Sequence, residues 1–137
     1  MIQPVLLDTG PLVALLNRRD AHHDWTRTQF DRITPPLLTC EAVLSEACFL
    51  LGRAGQGAQS VLELLNRGVV SLRFHLTEES EAVAELMTRY ANVPMSLADA
   101  CLVRMAELFP RSVLLALDSD FLIYRKHRRS SIRTLMP

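Results

Sequence analysis

Val5-Leu6-Leu7-Asp8-Thr9-Gly10-Pro11 is the stretch on which the fold class turns. Consecutive aliphatic residues without polar alternation read as a strand buried on both faces, as in a parallel sheet. Asp8 ends that strand, and Thr9-Gly10 turns the chain into a helix, Pro11 to Arg18, with proline in its first turn. The arrangement returns near the other end of the chain, where the apolar run Val113 to Leu117 closes on Asp118. The first strand has room to begin as early as Met1.

Between these two strands, short apolar runs alternate with segments of helical period. Leu37-Leu38-Thr39 and Val69 to Phe74 read as strands, and Ile132 to Leu135 as a short last one. Helices are predicted over His22 to Ile33, Glu41 to Gly52, Gln56 to Arg67, Glu78 to Ala91 and Ser96 to Phe109, with Gly52 and Gly68 as stops. Strands alternating with helices give an α/β domain whose central, mostly parallel sheet is covered on both faces. All 137 residues are read as one domain, because there is no repeat, no low-complexity tract and no linker.

Hydrophobic residues make up 49% of the chain, enough for a real core and unlike a disordered polypeptide. No apolar run is long enough to cross a bilayer, and no basic stretch precedes an apolar N-terminal segment as in a signal peptide. A cytoplasmic location without membrane contact is expected. Cys40, Cys48 and Cys101 are odd in number and lack C-x-x-C spacing, so Cys48 and Cys101 read as small buried hydrophobes. The formal net charge is zero but unevenly laid out. All 15 acids lie at or before Asp120, and five bases follow it: Arg125, Lys126, Arg128, Arg129 and Arg133. A basic segment on an acidic body suits a protein that gathers a polyanion at one edge and a cation at another; a solvated tail fits the same charges.

Position singles out four acids. Asp8 and Asp118 stand at the carboxyl ends of buried strands, where open α/β sheets bind ligands, although Asp after a strand is also a common helix N-cap. Glu46 falls with Val43 and Leu50 on one helical stripe, and a carboxylate on an apolar stripe must be paired, protonated or bound to a cation. Glu41, in the first turn of the same helix, is the alternative on a shifted phase. Asp99 completes Ser96-Leu97-Ala98-Asp99, a capping box that accounts for the acid structurally, but its small apolar neighbours leave room for an ion. Asp120 is a further candidate. Acids gathered in one cleft raise one another's pKa and need a cation to stay ionised together. An all-oxygen, hydrated pocket suits Mg²⁺ or Mn²⁺ better than Zn²⁺ and serves hydrolysis of a phosphodiester.

Four segments, Val5 to Leu16, Val43 to Arg53, Met95 to Leu108 and Leu115 to Arg125, together resemble the PIN-domain ribonucleases, most closely the VapC-type toxins of bacterial type II toxin–antitoxin pairs. The resemblance implies a three-layer α/β/α sandwich, with Asp8, Glu46, Asp99 and Asp118 as catalytic residues and ligands of Mg²⁺ or Mn²⁺. It also implies metal-dependent endoribonuclease activity on RNA, a cognate antitoxin that enters the active-site groove, and homodimers. Thr9, Ser96 and Asp120 are candidates to support the acids, and Arg125, Lys126, Arg128 and Arg129 to contact RNA. One position departs from the family: Ala116 stands two residues before the last acid, where Thr or Ser is often found. Its missing hydroxyl favours, as the alternative, a catalytically weakened PIN domain that binds RNA or protein. A receiver-type signalling module is also α/β with acids at strand ends, but it wants a lysine on a late strand, and the only lysine is Lys126.

His22 and His23, about 100° apart on a helix, read as a helix start and not as a metal pair. Trp25, Phe30 and Phe49 read as core. Tyr124, beside the basic segment, is the aromatic residue placed to contact RNA.

Overall fold

The computed structural model describes residues 3–137. The first strand, β1, is Val5–Leu7, and the expectation that it reaches back to Met1 lies outside the described residues. There follow α1 (Thr9–Leu16), α2 (His23–Arg32), β2 (Leu37–Thr39), α3 (Glu41–Arg53), α4 (Gln59–Asn66), β3 (Val70–Leu72), α5 (Leu76–Arg89), α6 (Leu97–Leu108) and β4 (Val113–Leu115). A 3₁₀ turn (Ser119–Leu122), an antiparallel hairpin of β5 (Arg125–Lys126) with β6 (Ser130–Ser131), and β7 (Thr134–Leu135) complete the chain.

The main sheet has the order β3-β2-β1-β4-β7, and every pairing in it is parallel. Parallel neighbours require crossovers, and right-handed ones place α1–α4 on one face and α5–α6 on the other. The result is the expected α/β/α sandwich. It also accounts for the continuous aliphatic triplets: Leu6 and Leu7 of β1 pair with Leu114 and Leu115 of β4, and all four are buried between the helix layers. From β1 the chain adds β2 and β3 on one side, then passes to the other side at β4. That reversal opens a crevice beyond the carboxyl ends of β1 and β4. Among the described residues, no helix is long and apolar enough to cross a membrane.

Several local expectations need correction. Helix α3 runs past Gly52 to Arg53, and the left-handed residue that ends it is Gly55, at φ 73°. Gln56 N–H donates to Leu51 O and Gly55 N–H to Gly52 O, the paired bonds of a Schellman motif. Phe49 is not core: it is 62% exposed, with the Arg53 guanidinium 5.7 Å above its ring. Cys48 is half-buried, while Cys40 and Cys101 are fully inside. Strand β4 ends at Leu115, so Asp118 lies three residues beyond it and not directly on its tip. The basic C-terminal segment is a hairpin, not a tail.

Candidate active site

Asp8 occupies the N-cap position of α1, yet its carboxylate makes no capping bond. Its N–H donates to Leu115 O at 3.1 Å, which fixes the end of β1 to the end of β4. A Cβ at Gly10 would lie 3.3 Å from Leu117 Cβ, so glycine lets the first turn of α1 close on the segment that leads to Asp118. Thr9 is buried beside Asp8, and its Oγ1 donates to Glu46 Oε2 at 3.2 Å, tying α1 to α3. Asp99 enters from the first turn of α6 and Asp118 from the start of the 3₁₀ turn.

These elements bring all four sequence-predicted acids to one cavity of about 320 Å³, with Thr9 in its wall and Leu50 and Leu117 at its edge. Glu41 does not line it, so the shifted phase of α3 is excluded. Glu46 nevertheless sits otherwise than expected. The buried stripe of α3 is Val43, Leu44, Ala47 and Leu51, and Glu46 stands beside it at the solvent-open rim. Ser96 and Asp120 support the acids without lining the cavity. Ser96 Oγ accepts from Asp99 N–H at 3.0 Å and Ser96 N–H donates to Asp99 Oδ2 at 3.4 Å. Asp120 N–H donates to Asp118 Oδ1 at 2.9 Å, so Asp118 caps the 3₁₀ turn with one oxygen.

Burial above all pushes Asp8 up to about 7, and the charges of Asp99, Asp118 and Glu46 add to it, while the neighbouring Thr9 N–H opposes the shift. Asp99 is also raised, first by burial, against the pull of hydrogen bonds from Tyr124 and Ser96. The cavity therefore holds carboxylates that resist ionising together without a counter-charge. Its donors are all oxygen, which fits a hard cation and not Zn²⁺. Among the described residues, no three His, Cys, Asp or Glu side chains close on a single point. An open wall of this kind suits a cation that keeps several waters and takes only one or two carboxylates directly.

Tyr124 was missed as part of this site. It is fully buried, packed edge-on against Phe121 and Tyr90, and its hydroxyl donates to Asp99 Oδ2 at 3.0 Å. It therefore presents no face on which RNA bases could stack. Its partner lies 25 residues earlier, and no local spacing announces the pair. The basic residues of the hairpin are also engaged. Arg125 donates to the carbonyls of Leu122, Ile123 and Tyr124, Lys126 to Pro110 O, and Arg128 pairs with Glu85. Within 125–131, Arg129 donates its backbone N–H to Lys126 O, and its side chain pairs with no acid among the described residues.

A family model for the PIN domain matches residues 5–126. The chain belongs to the PIN domain family. The match runs from β1 to β5 and so contains all four cavity acids. Among solved structures, this PIN domain is similar to VapC20 of Mycobacterium tuberculosis, described as a sarcin–ricin loop cleaving toxin. The TM-score is 0.77 at 23% identity, over 85% of this chain and 91% of that one. At that identity the likeness establishes a shared fold. No curated protein sequence matches the chain. PIN and VapC proteins are nucleases, and this PIN domain carries its acids where the fold opens its crevice.

Proposed function

We propose that this PIN domain is a Mg²⁺- or Mn²⁺-dependent endoribonuclease and the toxin of a toxin–antitoxin pair. The observation that carries it is the convergence of Asp8, Glu46, Asp99 and Asp118 on one cavity at the switch point between β1 and β4. Asp8 and Asp99 form the more enclosed wall and Glu46 and Asp118 the exposed rim, and these four are the catalytic, cation-holding residues. When bound, Mg²⁺ or Mn²⁺ supplies positive charge against the phosphodiester and lowers the pKa of a water. The chain's own groups hold the acids ready for it: Thr9 fixes Glu46, Ser96 fixes Asp99 and the Asp120 amide fixes Asp118. RNA as substrate, a cognate antitoxin, a homodimer and a cytoplasmic location follow from the likeness to VapC-type toxins.

Cleavage of an RNA pool by the purified chain should require Mg²⁺ or Mn²⁺, stop in chelator and return when the metal is restored. Cleavage that persists in chelator overturns the metal mechanism. RNA binding without cleavage in either metal supports instead a binding module, the alternative favoured by Ala116, which is fully buried and offers no hydroxyl.

The hairpin makes a separate prediction. Arg129→Glu should weaken RNA binding and flatten its dependence on salt by about 0.7 in log–log slope, the contribution of one phosphate contact to a single strand. An unchanged slope, measured by fluorescence anisotropy between low and moderate salt, removes Arg129 from the RNA path.

A further inference from the structure

Asp99 has two duties that compete for its oxygens. As the third residue of a capping box it serves Ser96 N–H, and as a wall of the acid cavity it faces whatever is bound there. The structure divides the duties between its two oxygens. Oδ2 accepts from Ser96 N–H and from the Tyr124 hydroxyl, while Oδ1 takes part in neither bond. The capping bond alone is long, at 3.4 Å, and leaves the carboxylate free to rotate about its last torsion. The shorter Tyr124 bond, at 3.0 Å, comes from a rigid ring held edge-on by Phe121 at 5.4 Å and Tyr90 at 5.1 Å. The ring is anchored from outside as well, because Tyr90 Oη accepts from Arg125 N–H, one residue beyond Tyr124.

We propose that Tyr124 is a positioning residue: its hydroxyl locks Asp99 Oδ2 and thereby points Oδ1 at the cation. The inference rests on the metal-nuclease reading and names how that site is kept in order. A partner behind a metal-holding carboxylate typically governs affinity by ten- to a hundredfold. Tyr124 also supplies a hydroxyl to a chain whose residue 116 is alanine.

The test is Mn²⁺ binding to the whole chain without RNA, measured by calorimetry or by the loss of the free Mn²⁺ electron-resonance signal. Tyr124→Phe keeps the ring and removes only the hydroxyl, and should weaken Mn²⁺ binding about tenfold. Tyr90→Phe removes a hydroxyl from the same aromatic cluster without touching an acid, and should weaken Mn²⁺ binding far less than Tyr124→Phe does. Equal losses in the two variants mean that loosened packing is responsible, and overturn the proposal. So does unchanged affinity in Tyr124→Phe where Asp99→Asn abolishes binding, which leaves the nuclease reading intact. If the unmodified chain binds no Mn²⁺, the nuclease reading itself fails and this inference with it. Should Tyr124→Phe not fold, the unmodified chain decides. It has only two tyrosines, so ¹³C-tyrosine labelling resolves both. Mg²⁺ should shift the Tyr124 Cζ signal in parallel with binding, and a stationary signal overturns the proposal.

Discussion

Asp8→Asn should abolish RNA cleavage and at the same time make the metal-free protein more stable at neutral and alkaline pH. Both effects have one cause. Asp8 is buried at the end of β1 among three other acids, and its folded pKa of about 7 stands well above its ordinary 3.8. A carboxyl raised in this way binds its proton more tightly in the folded chain than in the unfolded one. Below about pH 4 both states are protonated and nothing is lost. Between about pH 4 and 7 the unfolded chain ionises while the folded one does not, so stability falls as pH rises, and above 7 the penalty stays constant. The interval from 3.8 to about 7 corresponds to at most roughly 4 kcal/mol. Asparagine removes the titration, so the variant's advantage should grow from pH 4 to pH 7 and then level off. In chelator at pH 8 its melting temperature should rise by roughly 5–10 °C. Cleavage, in contrast, should drop at least about a hundredfold if Asp8 holds the cation as proposed, because a direct ligand matters more than a group behind it. Melting curves at pH 5 and pH 8 beside a fluorogenic RNA assay check both halves. An advantage equal at the two pH values would show that Asp8 is not held in the raised state described, and retained cleavage would remove it from the proposed cation site.

How much of this the sequence discloses depends on how local each signal is. The sheet centre is legible because β1 and β4 are buried on both faces, and burial writes itself as unbroken aliphatic triplets. Asp8 follows from its strand by position, and Asp118 less directly, since β4 stops three residues short of it. Glu46 is found by a stripe argument whose detail is wrong: Leu50 and Glu46 flank the cavity mouth, and the core stripe lies one step round the helix. The two readings of Asp99 do not compete: the capping box forms, and the same carboxylate also lines the acid cavity. The hairpin escapes for a physical reason. His127 and Arg128 both take positive φ, at 50° and 67°, where Asn-Gly or Asp-Gly would ordinarily mark the turn. No local preference asks for that turn. Contacts from α5 and α6 impose it, and they are absent from any window of neighbouring residues. Tyr124 escapes for the same reason, since its meaning lies in an acid on another element.

Those contacts also run through Glu107. It lies near the end of α6 with its side chain only 9% exposed, and it accepts from Arg104 at 3.1 Å and from the backbone N–H of His127 at 2.6 Å. The second bond holds the unfavourable first turn residue of the hairpin in place. Glu107→Ala should therefore cost about 1.5–3 kcal/mol, the range for hydrogen bonds to a charged partner. The cost stops there because Arg104 keeps Glu79, 2.8 Å away, and no buried charge is orphaned. Glu85→Ala makes the informative comparison. Glu85 also grips the hairpin, through Arg128, but from an exposed position in water, and its loss should leave the denaturation midpoint unchanged. Hydrogen exchange should separate the two further. In Glu107→Ala the amides of 125–131 should lose protection ahead of the sheet, because the turn relaxes toward ordinary backbone angles. Since Arg125 N–H also anchors Tyr90, against which Tyr124 packs, the loosening should reach the acid cavity as a small loss of Mn²⁺ affinity, less than that of Tyr124→Phe. If Glu107→Ala unfolds no more easily than Glu85→Ala, the turn is held by its own strands and α6 is a bystander.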